Sequence, residues 1–327
     1  MKRILCLFVI FLAILTLILG GCSVELARHK TADGINKAVS KTVEVSEYDK
    51  GSVFMWEVKA REGDGKLYLL GSIHVGKDDM YPLNPIITDA FESSDILAVE
   101  CDSTSVFQRP DYLQLMEKLM YTDGTDIRDH IPEDLYEKTD AFLREKGLSI
   151  GFFSLYKPVV LAQNITSLML EEWGYSSDKG IDVYFINLAR ERGMEIIEIE
   201  SVEFQFDMLG GFSDEIQIME LRHTLEGIET SRIILEGMLE FWNTGDVRSF
   251  EELISQEDDS LSPGEKELYR EYEKIMFDDR NLNMADKAEE YLKTGKTTFY
   301  IVGAGHMVGE TGIIKLLRDR GYTVVQQ

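Results

Sequence analysis

Two short apolar runs, one near each end of the chain, each close on a glycine. Leu67-Tyr68-Leu69-Leu70 leads into Gly71-Ser72-Ile73-His74, and Phe299-Tyr300-Ile301-Val302 leads into Gly303-Ala304-Gly305-His306. Runs of this length and composition read as buried strands, and each delivers an imidazole just past a glycine at the strand's carboxyl end. Upstream of the first, Phe54 to Val58 predicts a strand and Gly63-Asp64-Gly65 a hairpin turn, with 67–70 as the partner strand. A helix over 84–94 and a buried strand over Ile96-Leu97-Ala98-Val99 follow, and that strand ends on Glu100. With a right-handed crossover, His74 and Glu100 stand at the same end of neighbouring parallel strands. The last stretch repeats the plan, with a strand over 298–302, a helix over 309–320 closed by Gly321, and a strand over 322–325.

Between these units the periodicity is mostly helical. Start and stop signals place helices over 132–146, 158–173 and 181–192, the first and last ending at Gly147 and Gly193. A short strand over 195–199 runs onto Glu200, and helices are expected over 214–241, 249–255, 263–277 and 281–293. The fold class is α/β (α+β): two strand-helix-strand halves whose Gly-x-x-His loops at strand ends form a central cleft, plus a helical insertion.

The first residues follow a different rule. Lys2 and Arg3 precede an uncharged apolar stretch from Ile4 to Leu19, and Leu19-Gly20-Gly21-Cys22 supplies small residues before a cysteine. This resembles a bacterial lipoprotein signal peptide. It implies a signal over residues 1–21, a lipidated Cys22 opening a tether over 22–50, and a folded domain over 51–327. The competing reading is an uncleaved transmembrane anchor, since the run approaches the length needed to span. Either way the domain lies outside the cytoplasm, in the cell envelope, with a membrane as its partner through the anchor. Of the three cysteines, Cys6 leaves with the signal and Cys22 carries lipid, so Cys101 has no partner for a disulfide. The net charge of −25 excludes nucleic acid and an electrostatic grip on anionic lipid.

A hydrolytic metal site needs imidazoles or carboxylates that leave one position open for water. His74, His306 and Glu100 are the right donor types at the right ends of strands. Singly, each has a plainer reading, as a helix-capping histidine or a glutamate paired with lysine, and no H-E-x-x-H signature is present. Ser72 lacks the G-x-S-x-G context of a serine nucleophile. Cys101, next to Glu100, is expected on the opposite face of its strand. His29, His130 and His223 read as solvated or packed, and Met116 and Met120 as core.

The ordered series L-L-G-S-I-H-V at 69–75, A-V-E-C-D at 98–102, Y-K-P at 156–158, G-I-D at 180–182, I-E-S at 199–201 with Gln205 beyond, R-N at 280–281 and V-G-A-G-H-M-V-G at 302–309 resembles the TraB/GumN family, whose distant relatives include the TIKI metalloproteases. The resemblance spans roughly Val53 to Val325. It implies that His74, Glu100 and His306 form a metal site, with Arg280 and Glu200 as further polar members of the cleft. In that setting Glu100 serves as oxygen ligand or general base. Arg280 holds a substrate carboxylate or developing oxyanion, or else forms an ion pair with Asp278, Asp279 or a core carboxylate. Asp182 at a helix start, Glu200 and Gln205 support the site or bind substrate, Glu200 being otherwise a ligand or part of an exposed acidic edge. The implied cofactor is a divalent metal ion: manganese or cobalt by resemblance, with zinc or iron(II) equally suited by donor type. The implied activity is a membrane-anchored metal-dependent hydrolase, of peptidase type, acting on a peptide or protein substrate. The alternative is a lipoprotein that binds metal or haem, or captures a peptide, without turnover.

Overall fold

The computed structural model describes residues 52–256 and 261–327. The expected signal peptide, Cys22, the tether and His29 lie outside these residues. Six strands form one sheet: β1 (Met55–Lys59), β2 (Lys66–Ser72), β3 (Ile96–Val99), β4 (Glu195–Glu198), β5 (Thr297–Gly303) and β6 (Val324–Gln326), in the order β4-β3-β5-β2-β1-β6. Only β1 runs against the others; it pairs antiparallel with β2 and β6, whereas β2, β5, β3 and β4 pair parallel in turn. The expected side-by-side placement of β2 and β3 is therefore corrected, because β5 lies between them and hydrogen-bonds to both. The two expected halves merge into one sheet. β5 is apolar enough for that central place, being buried from Thr298 to Gly303. At one edge, β4 exposes Glu195 and Glu198, charges that discourage further strand pairing.

The helices are α1 (Pro85–Glu92), α2 (Tyr112–Glu117), α3 (Ile127–His130), α4 (Glu133–Glu145), α5 (Pro158–Glu172), α6 (Ile181–Arg192) and α7 (Val202–Gly210). They continue with α8 (Asp214–Glu226), α9 (Ile228–Thr244), α10 (Val247–Ile254), α11 (Pro263–Glu273), α12 (Asp279–Leu292), α13 (Ala304–Met307) and α14 (Ile313–Asp319). Local chemistry explains several ends. The Asn84 side chain accepts from Ile86 N with Pro85 at the first position of α1, and Ser262 with Glu265 forms a capping box on α11. α6 stops at Gly193, whose φ of 64° lies in the left-handed region.

Two expectations are revised and one unassigned segment is filled in. The single helix over 214–241 is two, broken at Gly227. The segment 202–210, to which the sequence pattern assigns no element, is α7, capped by the Ser201 side chain on Phe204 N. The helices expected over 263–277 and 281–293 are joined, because a π turn over Lys274–Asp278 carries α11 directly into α12.

Both faces of the sheet are covered. On one, Phe299 of β5 packs against Phe91 of α1 and Phe185 of α6 at ring separations of 5.4 and 4.9 Å. Its neighbour Tyr300 points the other way, and its hydroxyl donates to Met284 O of α12 at 2.8 Å. Each such ring contributes about 2 kcal/mol by burial, so β5 is held from both sides. Among the described residues no helix is long and apolar enough to cross a membrane.

Candidate functional site

The carboxyl ends of β2, β3, β4 and β5 lie together, and the chain leaves each of them through a polar residue. β2 ends at Ser72 and His74 follows two residues later; Ser72 pairs with Gly303, the last residue of β5. From there the two glycine-histidine stretches diverge. His74 lies in an extended loop, whereas His306 sits in the single turn of α13. The β3–β4 ladder extends past the strands through Glu200 N, which donates to Glu100 O at 2.8 Å, so the two glutamates are neighbours. His74, Glu100, Glu200, Arg280 and His306 are all buried.

Each imidazole has its Nδ1 occupied. His74 Nδ1 lies 3.3 Å from Asp182 Oδ1, and the same oxygen accepts from Ser72 Oγ at 3.2 Å. Gly180 makes this possible by close approach: a Cβ there would lie 2.6 Å from His74 O, and Ile181 N donates to Ile73 O at 3.0 Å. The start of α6 is thereby pinned to the His74 loop. His306 Nδ1 lies 2.6 Å from Asn281 Oδ1. The two Nε2 atoms are left facing inward, His306 Nε2 standing 3.8 Å from Glu100 Oε1.

Gly303 marks the point where the three side chains meet. A Cβ built on it would lie 3.2 Å from His74 Nε2, 3.3 Å from Glu100 Oε1 and 3.5 Å from His306 Cδ2. Only a glycine leaves that space clear. Beside it is a cavity of about 10 Å³ lined by His74, Glu100, Asp182, Gln205 and Cys101 among others, room for roughly one water or ion.

Glu100 and Glu200 share one guanidinium. Arg280 donates through Nη2 to Glu100 Oε2 at 2.8 Å, through Nε and Nη2 to the Glu200 oxygens at 2.8 Å, and through Nη1 to Met276 O at 3.1 Å. Gln205 adds bonds to Glu200 at 3.0 Å and Glu100 at 3.4 Å, and Gly303 N donates to Glu100 Oε1 at 2.6 Å. Arg280 is thus paired with core carboxylates and not with Asp278 or Asp279, and Glu200 is a buried partner, not an exposed edge. Cys101 is the second departure: its Sγ donates to Gln205 Oε1 at 3.2 Å and it lines the same cavity as Glu100.

The charges tune one another. Burial opposes protonation of His74, but the charge and hydrogen bond of Asp182, helped by the charge of Glu100, outweigh it and raise the imidazole above its ordinary value. For Asp182 burial works upward, yet the charge and bond of His74 and the Ser72 bond hold it below the ordinary carboxylate range. Burial and then the Arg280 charge push His306 well below its ordinary value, so it is neutral. Burial pushes the Cys101 thiol well up, with Glu100, Glu198 and Glu200 adding to it, which makes it unreactive.

Among the described residues, no three His, Cys, Asp or Glu side chains already stand together as a metal-holding group. The donors nevertheless fit a divalent cation in kind, since His74 Nε2, Glu100 Oε1 and the edge of the His306 ring border the same small space, His306 Nε2 lies 3.8 Å from Glu100 Oε1, and acceptors stand behind both rings. Both oxygens of Glu100 already accept bonds, from Arg280 and from Gly303 N.

The remaining candidates lie elsewhere. His130 stacks on Tyr121 at 3.8 Å and contacts Asp214, His223 is buried in α8, and Met116 is core. Asn281 was not singled out as a site residue by sequence reasoning, although its position directly after Arg280 was the available signal.

The model of the TraB/PrgY/gumN family matches residues 54–326. The chain is 25% identical over 260 residues to the uncharacterized protein YbaP of Escherichia coli K12, an alignment covering 78% of this chain and 89% of YbaP. It is 24% identical over 362 residues to the metalloprotease TIKI1 of Xenopus tropicalis, covering 97% of this chain and 68% of TIKI1. With the metalloprotease TIKI2 of Danio rerio the identity is 24% over 325 residues, covering 86% and 62%. No solved structure matches at comparable significance. With a match that runs from β1 to β6 and takes in each strand end that supplies the site, the chain belongs to the TraB/PrgY/gumN family.

Proposed function

We propose that this chain is a metal-dependent hydrolase of peptidase type, held in the cell envelope by lipid on Cys22. The observation that carries the reading is the meeting of His74 Nε2, Glu100 Oε1 and the His306 ring around the point that a Cβ on Gly303 would occupy. Its likeness to the TIKI metalloproteases supports the peptidase reading. A divalent cation held by His74, His306 and Glu100, whether manganese, cobalt or zinc, would supply Lewis acidity and lower the pKa of a neighbouring water. Asp182 holds the His74 ring with Nε2 inward. Glu100 Oε1 is the oxygen placed to take a proton, while Arg280 fixes Oε2. Arg280 is therefore assigned to positioning Glu100 and not to gripping substrate. A cleft of about 360 Å³, lined in part by Phe277, Asn281 and Gly305, lies beside the residue that precedes His306.

Elemental analysis of the purified full chain beside His74→Ala and His306→Ala is the first test, with metal expected in the parent and lost in both variants. The second is hydrolysis of a peptide library, abolished by chelator or by Glu100→Ala and restored to the parent by added divalent cation. The hold of Arg280 and Gly303 N on Glu100 favours one competing reading, metal binding without turnover. Stoichiometric metal with no cleavage of any peptide would establish that instead. For the anchor, Cys22→Ser should move the chain out of the membrane fraction and abolish labelling by a fatty-acid analogue.

A further inference from the structure

The two imidazoles of the site rest on different chemistry. Behind His74 is a carboxylate, Asp182, while behind His306 is a carboxamide, with Asn281 Oδ1 only 2.6 Å from Nδ1. An amide oxygen only accepts hydrogen bonds, so the proton in this bond belongs to Nδ1 and Nε2 is left bare. Nε2 is the atom that stands 3.8 Å from Glu100 Oε1. Asn281 and His306 are each 1% exposed, which shields their bond from exchange with solvent. Phe277 lies 5.0 Å from the His306 ring, centroid to centroid, and restricts its rotation.

Consecutive residues of α12 divide the work. Arg280 reaches Glu100 and Glu200, and Asn281, one position on and about 100° further round the helix, meets His306. Met276, Phe277, Arg280, Asn281, Met284 and Ala285 are all buried along this side. The π turn over Lys274–Asp278 immediately precedes them, and such wide turns are frequent where a helix serves a site.

We infer that Asn281 is a positioning residue for His306: it holds the ring as the Nδ1–H tautomer with Nε2 turned toward Glu100, in the place that Asp182 fills for His74. What Nε2 then does rests on the hydrolase reading; the tautomer does not. A neutral acceptor suits this position because a carboxylate there would add a third negative charge beside Glu100 and Glu200.

The test uses the full chain with ¹⁵N-labelled histidine, the His306 signals being assigned by their loss in His306→Gln. In metal-free parent protein, His306 should show the Nδ1–H pattern. Asn281→Leu, close in size and without an acceptor, should lose that fixed pattern and bind Mn²⁺ about tenfold or more weakly by calorimetry, with its far-UV circular dichroism unchanged. Asn281→Asp should restore the tautomer. If the leucine variant does not fold, Asn281→Ala makes the same comparison without added bulk. An Nε2–H pattern in the parent, or a tautomer and Mn²⁺ affinity that the leucine or alanine variant leaves unchanged, overturns the inference. A parent that shows the Nδ1–H tautomer but binds no metal overturns the hydrolase reading and leaves this one standing.

Discussion

Gly303 separates the site's chemistry from the fold's stability. Its φ of −50° suits any residue, so an added methyl strains no backbone; it only enters the space between His74, Glu100 and His306. Gly303→Ala is expected to stay within about 1 kcal/mol of the parent in urea unfolding while losing metal in elemental analysis. Gly71→Ala should do the opposite. There a Cβ would lie 2.7 Å from the Phe54 ring and 3.0 Å from Ala304 Cα, overpacking that costs about 1–3 kcal/mol. Glu200→Ala leaves the guanidinium of Arg280 short of a buried partner and should cost about 3–5 kcal/mol by urea unfolding. Arg280→Lys will not substitute for the arginine, because an ammonium lacks the fork that spans two carboxylates. At this scale much was legible. His74, Glu100 and His306 each follow a strand, and strand ends in a parallel sheet collect at one side. Gln205, Glu200 and Arg280 were legible as a motif series but not as a bonded group, since residues 80 apart meet only through tertiary packing. Asn281 was legible as half of the R-N pair but not as the partner of His306, because an asparagine in a helix has many possible roles and its bond to His306 spans 25 residues.

Among the elements, the packing of α8 against α11 carries a pH signature away from the site. Glu220 of α8 is 2% exposed, and its Oε2 has no hydrogen-bond partner. Burial lifts its pKa from 4.5 to about 8, against a lowering bond from Tyr272 of α11. The folded chain therefore keeps a proton that the unfolded chain releases near 4.5. This contribution to stability is fully present below pH 4.5 and is lost as pH rises through about 8. Glu220→Gln removes that loss, so its unfolding free energy relative to the parent should improve by about 2–4 kcal/mol between pH 4.5 and 8. Equal pH dependence in both proteins would refute the assignment. α6 was readable to its last residue, because the left-handed turn at Gly193 and the run of polar residues before it leave little freedom. The break at Gly227 was not readable, as a single glycine inside a helical pattern is as often tolerated as not. The placement of β5 between β2 and β3 was beyond local pattern altogether, because strand order is decided by which apolar runs pair across two hundred residues and not by the runs themselves.

For the molecule as a whole, the −25 net charge is the dominant long-range term. Self-repulsion of this kind weakens the compact state and is screened by salt, whose Debye length falls from about 30 Å at 0.01 M to about 10 Å at 0.1 M. The melting temperature should rise over that interval, and a flat or falling response would show that local ion pairs outweigh the overall repulsion. A different consequence follows from β5. Residues 66–72 and 96–99 come well before the strand that joins them, Thr297–Gly303, in chain order. Without it, β1 with β2 and β3 with β4 are two unconnected ribbons, and neither His306 nor the amide that holds Glu100 exists in place. A polypeptide that stops short of β5 therefore lacks the joining strand, His306 and the amide that grips Glu100: one segment completes the sheet and the cluster of polar side chains together.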